Sequence, residues 1–403
     1  MAVTFFPAKA IVIAAAVDKV AIVGTDLGRG PTEAMMMIIR REIADKAGIR
    51  HVLISGSHSH HGPVIELIDE PGLGKGKFDA AVAYSQELPH LLVPAILDAD
   101  KDLKPARIEV AIESVGLNRN RHTKREPKAT DPMLAVIRFD DQAGKPIAVL
   151  VNFAAHPVMT GEKLLRYSAD YPGFLKRKVE AELSTRCIFM QGAAGDLSPN
   201  PGAGPWEPKS FGQTVADHVI ALARSIKTET PPHPSIRGMV DTFHFKTRDL
   251  RDPRVAGVFE RSYFPEITRT YVKLYGESLA AELNTVLLNA EIALVGGLGR
   301  VLLQPCEPAQ GAVVRQAHPL LRLLQRPRDV FPHHRGCLGR GLRCRPRRFA
   351  GRDRGRGADD GQGVAQHLSL AGEIRAGTTI AGTEHDLGCH GSRISQLEEH
   401  CLL

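Results

Sequence analysis

The chain has 403 residues, 43% hydrophobic and 24% charged, with a formal net charge of +7. That length allows about two domains, and the composition fits a globular protein with a buried core. No apolar run reaches the roughly 18–20 residues that span a membrane as a helix; the positive excess sits largely in an Arg-rich C-terminal stretch, and aromatics are only 5%, which argues against nucleic acid as the partner.

The opening "MAVTFFPAKAIVIAAAVDKV" has a short apolar stretch without a basic leader or a small-residue cleavage site. It reads as a first core strand, with no signal peptide visible, and leaves the compartment open. "KAIVIAAAV" and "KVAIVGTD" predict two strands joined by a short turn. "GRGPTEAMMMIIRREIADKAGI" predicts a helix, with Pro31 near its first turn and Gly48 near its end. "RHVLISGS" is a third strand, and it delivers the loop "HSHHGP". "AYSQELPHLLVPAILDADKDL" predicts a helix interrupted by Pro89 and Pro94. "ARIEVAIESVGLNRNR" starts as an alternating strand and runs into an Asn/Arg loop, and "MLAVIRFDDQAGKPIAVLVNFAAHP" predicts a β-hairpin. "YPGFLKRKVEAEL" is helical, "RCIFMQGAAGD" a buried strand with a Gly-rich exit, and "FGQTVADHVIALARSI" another helix.

Strands alternate with helices, which predicts an α/β fold: a layered domain with a central mixed β-sheet covered by helices, followed by a poorly structured Arg/Gly-rich tail. The near-continuous apolar strand runs suit a sheet covered on both faces by helices. Ligands in such folds bind beyond the strand ends. The polar clusters all follow strand-like runs: Asp26, His58 to His61, Asn118 to Arg121, His156, and Asp196 to Ser198.

The C-terminal stretch differs. No lysine follows Lys273 and no tyrosine follows Tyr275, while Arg, Gly, Pro, Cys and His dominate from Arg300 onward. This composition fits a disordered basic tail. It also fits a GC-rich coding sequence read out of frame, the preferred account, which comparison of the DNA in its other frames would test. Of the six cysteines only Cys187 precedes Cys306, and no C-x-x-C pair occurs, so neither a zinc ribbon nor a disulfide framework is expected.

Three segments carry chemistry. His58 and His60 stand two residues apart, and in extended chain such residues face one side. Neutral imidazole is a good zinc ligand, although an H-x-H pair also fits a hydrogen-bonded polar loop. "VLVNFAAHPVMT" brings His156 to the end of a buried strand, where Pro157 must stop the pairing; a lone histidine there also fits a structural role. "FMQGAAGDLSPNP" places Asp196 and Ser198 after a run of small residues. Such a run suits a site wall that needs close backbone approach, or an Asx or Ser turn.

In combination, "SGSHSHHGP", "GLNRNR", "NFAAHPVMT" with "SADYPGF", and "QGAAGDLSPNP" resemble the neutral/alkaline, non-lysosomal ceramidase family. The resemblance covers roughly Lys9 to Leu303, in order and in rough spacing. It divides the chain into a ceramidase-like zinc amidohydrolase domain over 1–303 and an atypical tail over 304–403. It implies a zinc-dependent amidase that cleaves the N-acyl bond of a ceramide-like lipid to a fatty acid and a sphingoid base. It further implies zinc ligands at His58 and His156, and contacts from His60 and Arg119 to the scissile amide and the acyl carboxylate. Ser198 matches an essential serine, read as a nucleophile or as a substrate-hydroxyl contact; a zinc-water mechanism makes the second more natural. Asp196 would orient its neighbours. His61 stands where the family commonly has serine and is expected to be a bystander. Partners would be the lipid amide and, through it, a membrane surface. Relatives of this kind are often exported.

The sequence departs from that pattern in places. The family's third ligand is a glutamate in a Pro-Gly-Glu segment; here "LLQPCEPAQ" puts Glu307 after Cys306. The family's fourth ligand is a tyrosine, and none follows Tyr275. The family's opening Asp-Ile-Thr-Pro-like segment is missing before "AKAIVIAAA". Losing one acidic donor near the oxyanion costs on the order of 100- to 1,000-fold in rate, so an impaired hydrolase is expected. Rival expectations are an inactive ceramidase-like fragment that binds lipid or nothing, a metallohydrolase acting on another amide or ester, and a nucleic-acid binder using the Arg/Gly tail, whose affinity would fall steeply with salt.

Overall fold

The computed structural model describes residues 8–297 and 322–325, apart from 125, 248–251, 256, 258–262 and 277. Glu307 lies outside these residues, as does the 304–403 tail except for one short strand.

Strands β1 (Lys9–Ala15) and β2 (Asp18–Thr25) form an antiparallel hairpin across Ala16 and Val17. Helix α1 (Glu33–Ala47) then crosses over to β3 (His51–Gly56), which pairs parallel to β2. The helix starts where expected because the Thr32 side chain caps Met35 N–H, and it stops at Gly48, whose φ of 67° gives the left-handed cap. Two very short strands, β4 (Ile68–Pro71) and β5 (Gly74–Lys75), precede helix α2 (Asp79–Lys101). The sequence predicts a break at Pro89 and Pro94, yet α2 runs through both. Each proline removes only one backbone hydrogen bond. The face carrying Leu88, Leu92, Val93 and Ile96 is fully buried against α1 and the first sheet, and that burial offsets the loss.

The second sheet has the order β10-β9-β8-β6. It contains β6 (Ala106–Ser114), the predicted hairpin β8 (Met133–Asp141) and β9 (Pro146–Phe153), and β10 (Arg186–Gln191). Between β6 and β8 lies β7 (Asn118–Asn120), so part of the predicted Asn/Arg loop is a strand; it pairs with β11 (Leu197–Pro199). Helix α3 (Asp170–Leu183) joins β9 to its parallel neighbour β10, and α4 (Pro208–Ser225) follows β11. A third, antiparallel sheet has the order β12-β13-β14-β15, from β12 (Ile236–Lys246), β13 (Ser278–Leu288), β14 (Ile292–Gly297) and β15 (Arg322–Gln325). Helix α5 (Pro265–Tyr275) sits between β12 and β13 in the chain. Among the described residues, no helix is long and apolar enough to cross a membrane.

The layered α/β expectation holds, and the β layer is double. Alternate residues of each strand enter different cores. In β2, Ala21 and Val23 pack with α1 and α2, while Val20 and Ile22 meet the second sheet. In β10, Cys187 and Phe189 pack with α3 and α4, while Ile188 and Met190 face the first sheet. The first and second sheets therefore each have helices on one face and a shared cluster on the other, which Ile236, Val286, Leu288, Ile292 and Leu294 of the third sheet join. Both faces being apolar explains the continuous runs, since a side chain buried by a helix and one buried by a sheet gain similar free energy, about 1.5–3 kcal/mol each. Gly24 permits the close approach, because a Cβ there would lie 2.8 Å from Ile188 Cγ2 and 2.9 Å from the Phe189 carbonyl.

Candidate metal centre

The first and second sheets each contain one parallel pair, β2/β3 and β9/β10, and the loops leaving their C-terminal ends meet. Chain reversal next to a parallel pair leaves such a crevice.

The first loop carries His58 and His60. Gly56 ends β3 against the 27–29 backbone, where a Cβ would lie 2.6 Å from the Leu27 carbonyl. Ser57 N–H then donates to Thr25 O (2.8 Å) and His58 N–H to Leu27 O (3.0 Å). His58 takes a left-handed φ of 67°, which costs a non-glycine residue about 1–2 kcal/mol. Its Nδ1 lies 2.6 Å from Gly28 O. A carbonyl only accepts, so Nδ1 carries the proton and Nε2 keeps its lone pair.

The second loop carries His156. Its N–H donates to Leu197 O (2.9 Å), and its Nδ1 lies 2.9 Å from Ala194 O. Donation to Ala194 O leaves its Nε2 unprotonated, whereas Arg121 Nη2, 3.1 Å from the same Nδ1, can only donate to it; a metal at Nε2 would select the first tautomer. The turn is held further by Tyr171 and Gln191, whose O–H and Nε2–H both donate to Ala155 O (2.7 and 3.0 Å). His156 is buried. Burial, first, then the charges of His58, Arg121 and His60 hold its pKa well below the ordinary histidine value. The ring is therefore neutral at neutral pH, the form that ligates metals.

The two loops bring three imidazoles together. His156 Nε2 is 3.1 Å from His58 Nε2 and 2.9 Å from His60 Nε2. Three ligand atoms of His58, His60 and His156 lie within 4.8 Å of one another. Two lone-pair nitrogens facing each other at hydrogen-bond distance repel unless a cation or a proton lies between them. Zinc–nitrogen bonds of 2.0–2.1 Å in a tetrahedron place nitrogens about 3.3 Å apart, close to these spacings. The three imidazoles could hold a metal ion.

The other predicted residues surround this point. Asp196 is buried and accepts from Asn120 Nδ2 at 2.6 Å. Asn120 Oδ1 in turn accepts from the N–H groups of His122 and Thr123. Asp196 thus fixes the chain after β7 through Asn120. Ser198 and Arg119 pair directly across β11 and β7. Ser198 is buried, while Arg119 is exposed, with its guanidinium 5.8 Å from the centre of the Trp206 ring. His61 contacts other groups: its Nε2 lies 3.3 Å from Gly161 O, and its backbone bridges Ser168.

Arg121 was not singled out from the sequence. Its Nη2 donates to Gly195 O (3.1 Å) and stands 3.1 Å from His156 Nδ1. The available signal was the second arginine of "NRNR", which is indistinguishable from Arg119 without the pairing of β7. Lys176 was also missed. Its Nζ donates to Asp26 Oδ1 at 2.5 Å, with both groups buried. The pair ties α3 to the loop whose Gly28 carbonyl orients His58.

No family model matches the sequence. Among solved structures, the chain is similar to a neutral ceramidase from Pseudomonas aeruginosa, 18% identical, over 69% of this chain and 54% of that one, with a TM-score of 0.48. It is also similar to a ceramidase complexed with C2, 22% identical, over 58% of this chain and 39% of that one, with a TM-score of 0.43. The chain thus spans about half the length of the first and less of the second.

Proposed function

We propose that this chain is a zinc-dependent hydrolase of the neutral-ceramidase kind, cleaving the N-acyl bond of a ceramide-like lipid amide to a fatty acid and a sphingoid base. The observation that carries this reading is the convergence of the three Nε2 atoms of His58, His60 and His156, in a chain that holds the family's motifs around them in order.

The histidines would hold the ion through these nitrogens. The resemblance alone gives His60 to the scissile amide; its 2.9 Å approach to His156 Nε2 supports a ligand role for it here. Glu307, the third ligand that the resemblance implies, lies outside the described residues. Zinc bound there would polarise the scissile carbonyl and bring the pKa of water towards about 7. Gly28 O would hold the His58 tautomer with its Nε2 lone pair free, and Ala194 O would do the same for His156 once a metal takes its Nε2. The Arg121 guanidinium, 3.1 Å from His156 Nδ1 and 3.5 Å from its Nε2, would add positive charge near the metal position and so favour a developing oxyanion. Ser198 and Arg119, side by side on β11 and β7, would contact the substrate hydroxyl and the acyl carboxylate, and Asp196 would keep their strand pair in place through Asn120.

The test is elemental analysis of the purified protein beside His156→Ala, followed by mass-spectrometric detection of fatty acid released from N-acyl sphingosine. We expect about one zinc per chain in the wild type, its loss in the variant, and slow release that disappears with the zinc. A folded wild type without zinc would refute the reading, as would fatty-acid release unchanged by His156→Ala.

A further inference from the structure

The segment Gly161–Tyr167, "GEKLLRY", is exposed at every residue. Leu165 is 94% exposed, Tyr167 64% and Leu164 44%. These apolar side chains are neighbours and exposed together, whereas singly scattered exposed hydrophobics would need no explanation. Lys163 and Arg166 lie among them and outnumber the one acid, Glu162.

Both ends of this loop are clamped to the histidine loop. Ser59 Oγ donates to Ser168 O, Ser168 N–H donates to His61 O (3.2 Å), and His61 Nε2 stands 3.3 Å from Gly161 O. Behind them, Thr160 N–H donates to the buried Asp170 carboxylate (2.7 Å), and Asp170 N–H donates to Ser168 Oγ (3.1 Å). The base is therefore held by hydrogen bonds, and Leu164 and Leu165 stand exposed at the tip. Residues 164–166 turn on Leu164 N–H to Gly161 O and Arg166 N–H to Leu164 O, which pushes the two leucines outward.

We propose that this loop is an interfacial anchor that seats the protein on a lipid surface containing anionic headgroups. Leu164, Leu165 and Tyr167 would enter the boundary between headgroups and acyl chains, and Lys163 and Arg166 would meet the phosphates and carboxylates above it. Tyrosine suits that depth because its ring is apolar and its hydroxyl stays wet. A protein partner fits less well: three side chains on one short loop fall far below the roughly 800 Å² per partner of a stable interface. The anchor does not depend on what the histidines do, but it places their loop against the lipid.

Co-sedimentation with vesicles of phosphatidylcholine, with and without phosphatidylserine, tests this on the full chain. We expect binding to the mixed vesicles that weakens with salt. The double variant Leu164→Ser/Leu165→Ser should lower the partition about tenfold or more, with zinc content and circular dichroism unchanged. Lys163→Glu/Arg166→Glu should abolish the preference for phosphatidylserine. The proposal is overturned if the wild type binds neither vesicle, or if the double-serine variant binds like the wild type. In the second case basic residues elsewhere would account for binding. Either failure leaves the zinc reading intact, because zinc content is measured separately.

Discussion

The two halves of the candidate centre are built on the same plan and held differently. His156 is buried, and its turn is fixed by hydrogen bonds from Tyr171, Gln191 and its own backbone. His58 and His60 stand on a half-exposed loop with a left-handed residue at its start. The first half is a rigid reference. The second is backed at His58 by the 26–29 segment, through the Gly28 carbonyl and the close pass of Leu27 over Gly56, and tied beyond it to Ser168. Metal affinity should therefore be more sensitive to damage behind the His58 loop than its distance from the ion suggests.

The sharpest way to break that asymmetry is Lys176→Met. It leaves Asp26 buried without its partner, and removing one member of a buried pair costs about 3–5 kcal/mol. Chemical denaturation should show that loss, and zinc affinity should fall as the 26–29 segment loosens. If zinc affinity holds while stability falls, the segment does not position His58. Next in size is Gly56→Ala. Its Cβ would collide with the backbone of Leu27 and Arg29, and such overpacking costs about 1–3 kcal/mol. Zinc affinity should drop with it, as read by competition with a chelating dye. An equivalent overpacking on the outer face of the first sheet should lower stability alone.

The smallest effect concerns the rigid half. Cys187 on β10 is fully buried, and burial pushes its thiol up to about 12. The folded state thus holds a proton that the unfolded chain releases near pH 8.5. This contribution is fully present below that pH and is lost as pH rises from there to about 12. Peptide mapping after alkylation at pH 8 should find Cys187 unmodified in native protein and modified after denaturation. Rapid alkylation of native protein would show that the second sheet opens and is not the rigid reference.

Much of the local structure was legible in the chain. The Val/Ile-rich runs gave strands, and Thr32 and Gly48 bounded a helix at the predicted place. Positions 58, 60 and 156 stood out because they fall in order among motifs that resemble one family, although each histidine alone also fits a structural role. The prolines of α2 misled, because their local cost is outweighed by burial that only the assembled layers provide.

The sequence by itself determined the elements and the chemical character of the loops. The tertiary structure decided which of them meet. His58 and His156 are 98 residues apart and converge because two sheets stack with their parallel pairs ending at the same edge. Periodicity cannot show that stacking, since strands apolar on both sides read alike whether a helix or a sheet covers them. Arg121 reaches His156 while Arg119 lies near Trp206, a distinction set by where β7 stops pairing with β11. The Lys176–Asp26 pair joins residues 150 apart, and no local pattern marks a lysine that will be buried. Short-range physics fixes backbone form, but long-range packing chooses the neighbours, and in this protein the candidate chemistry lies among those neighbours.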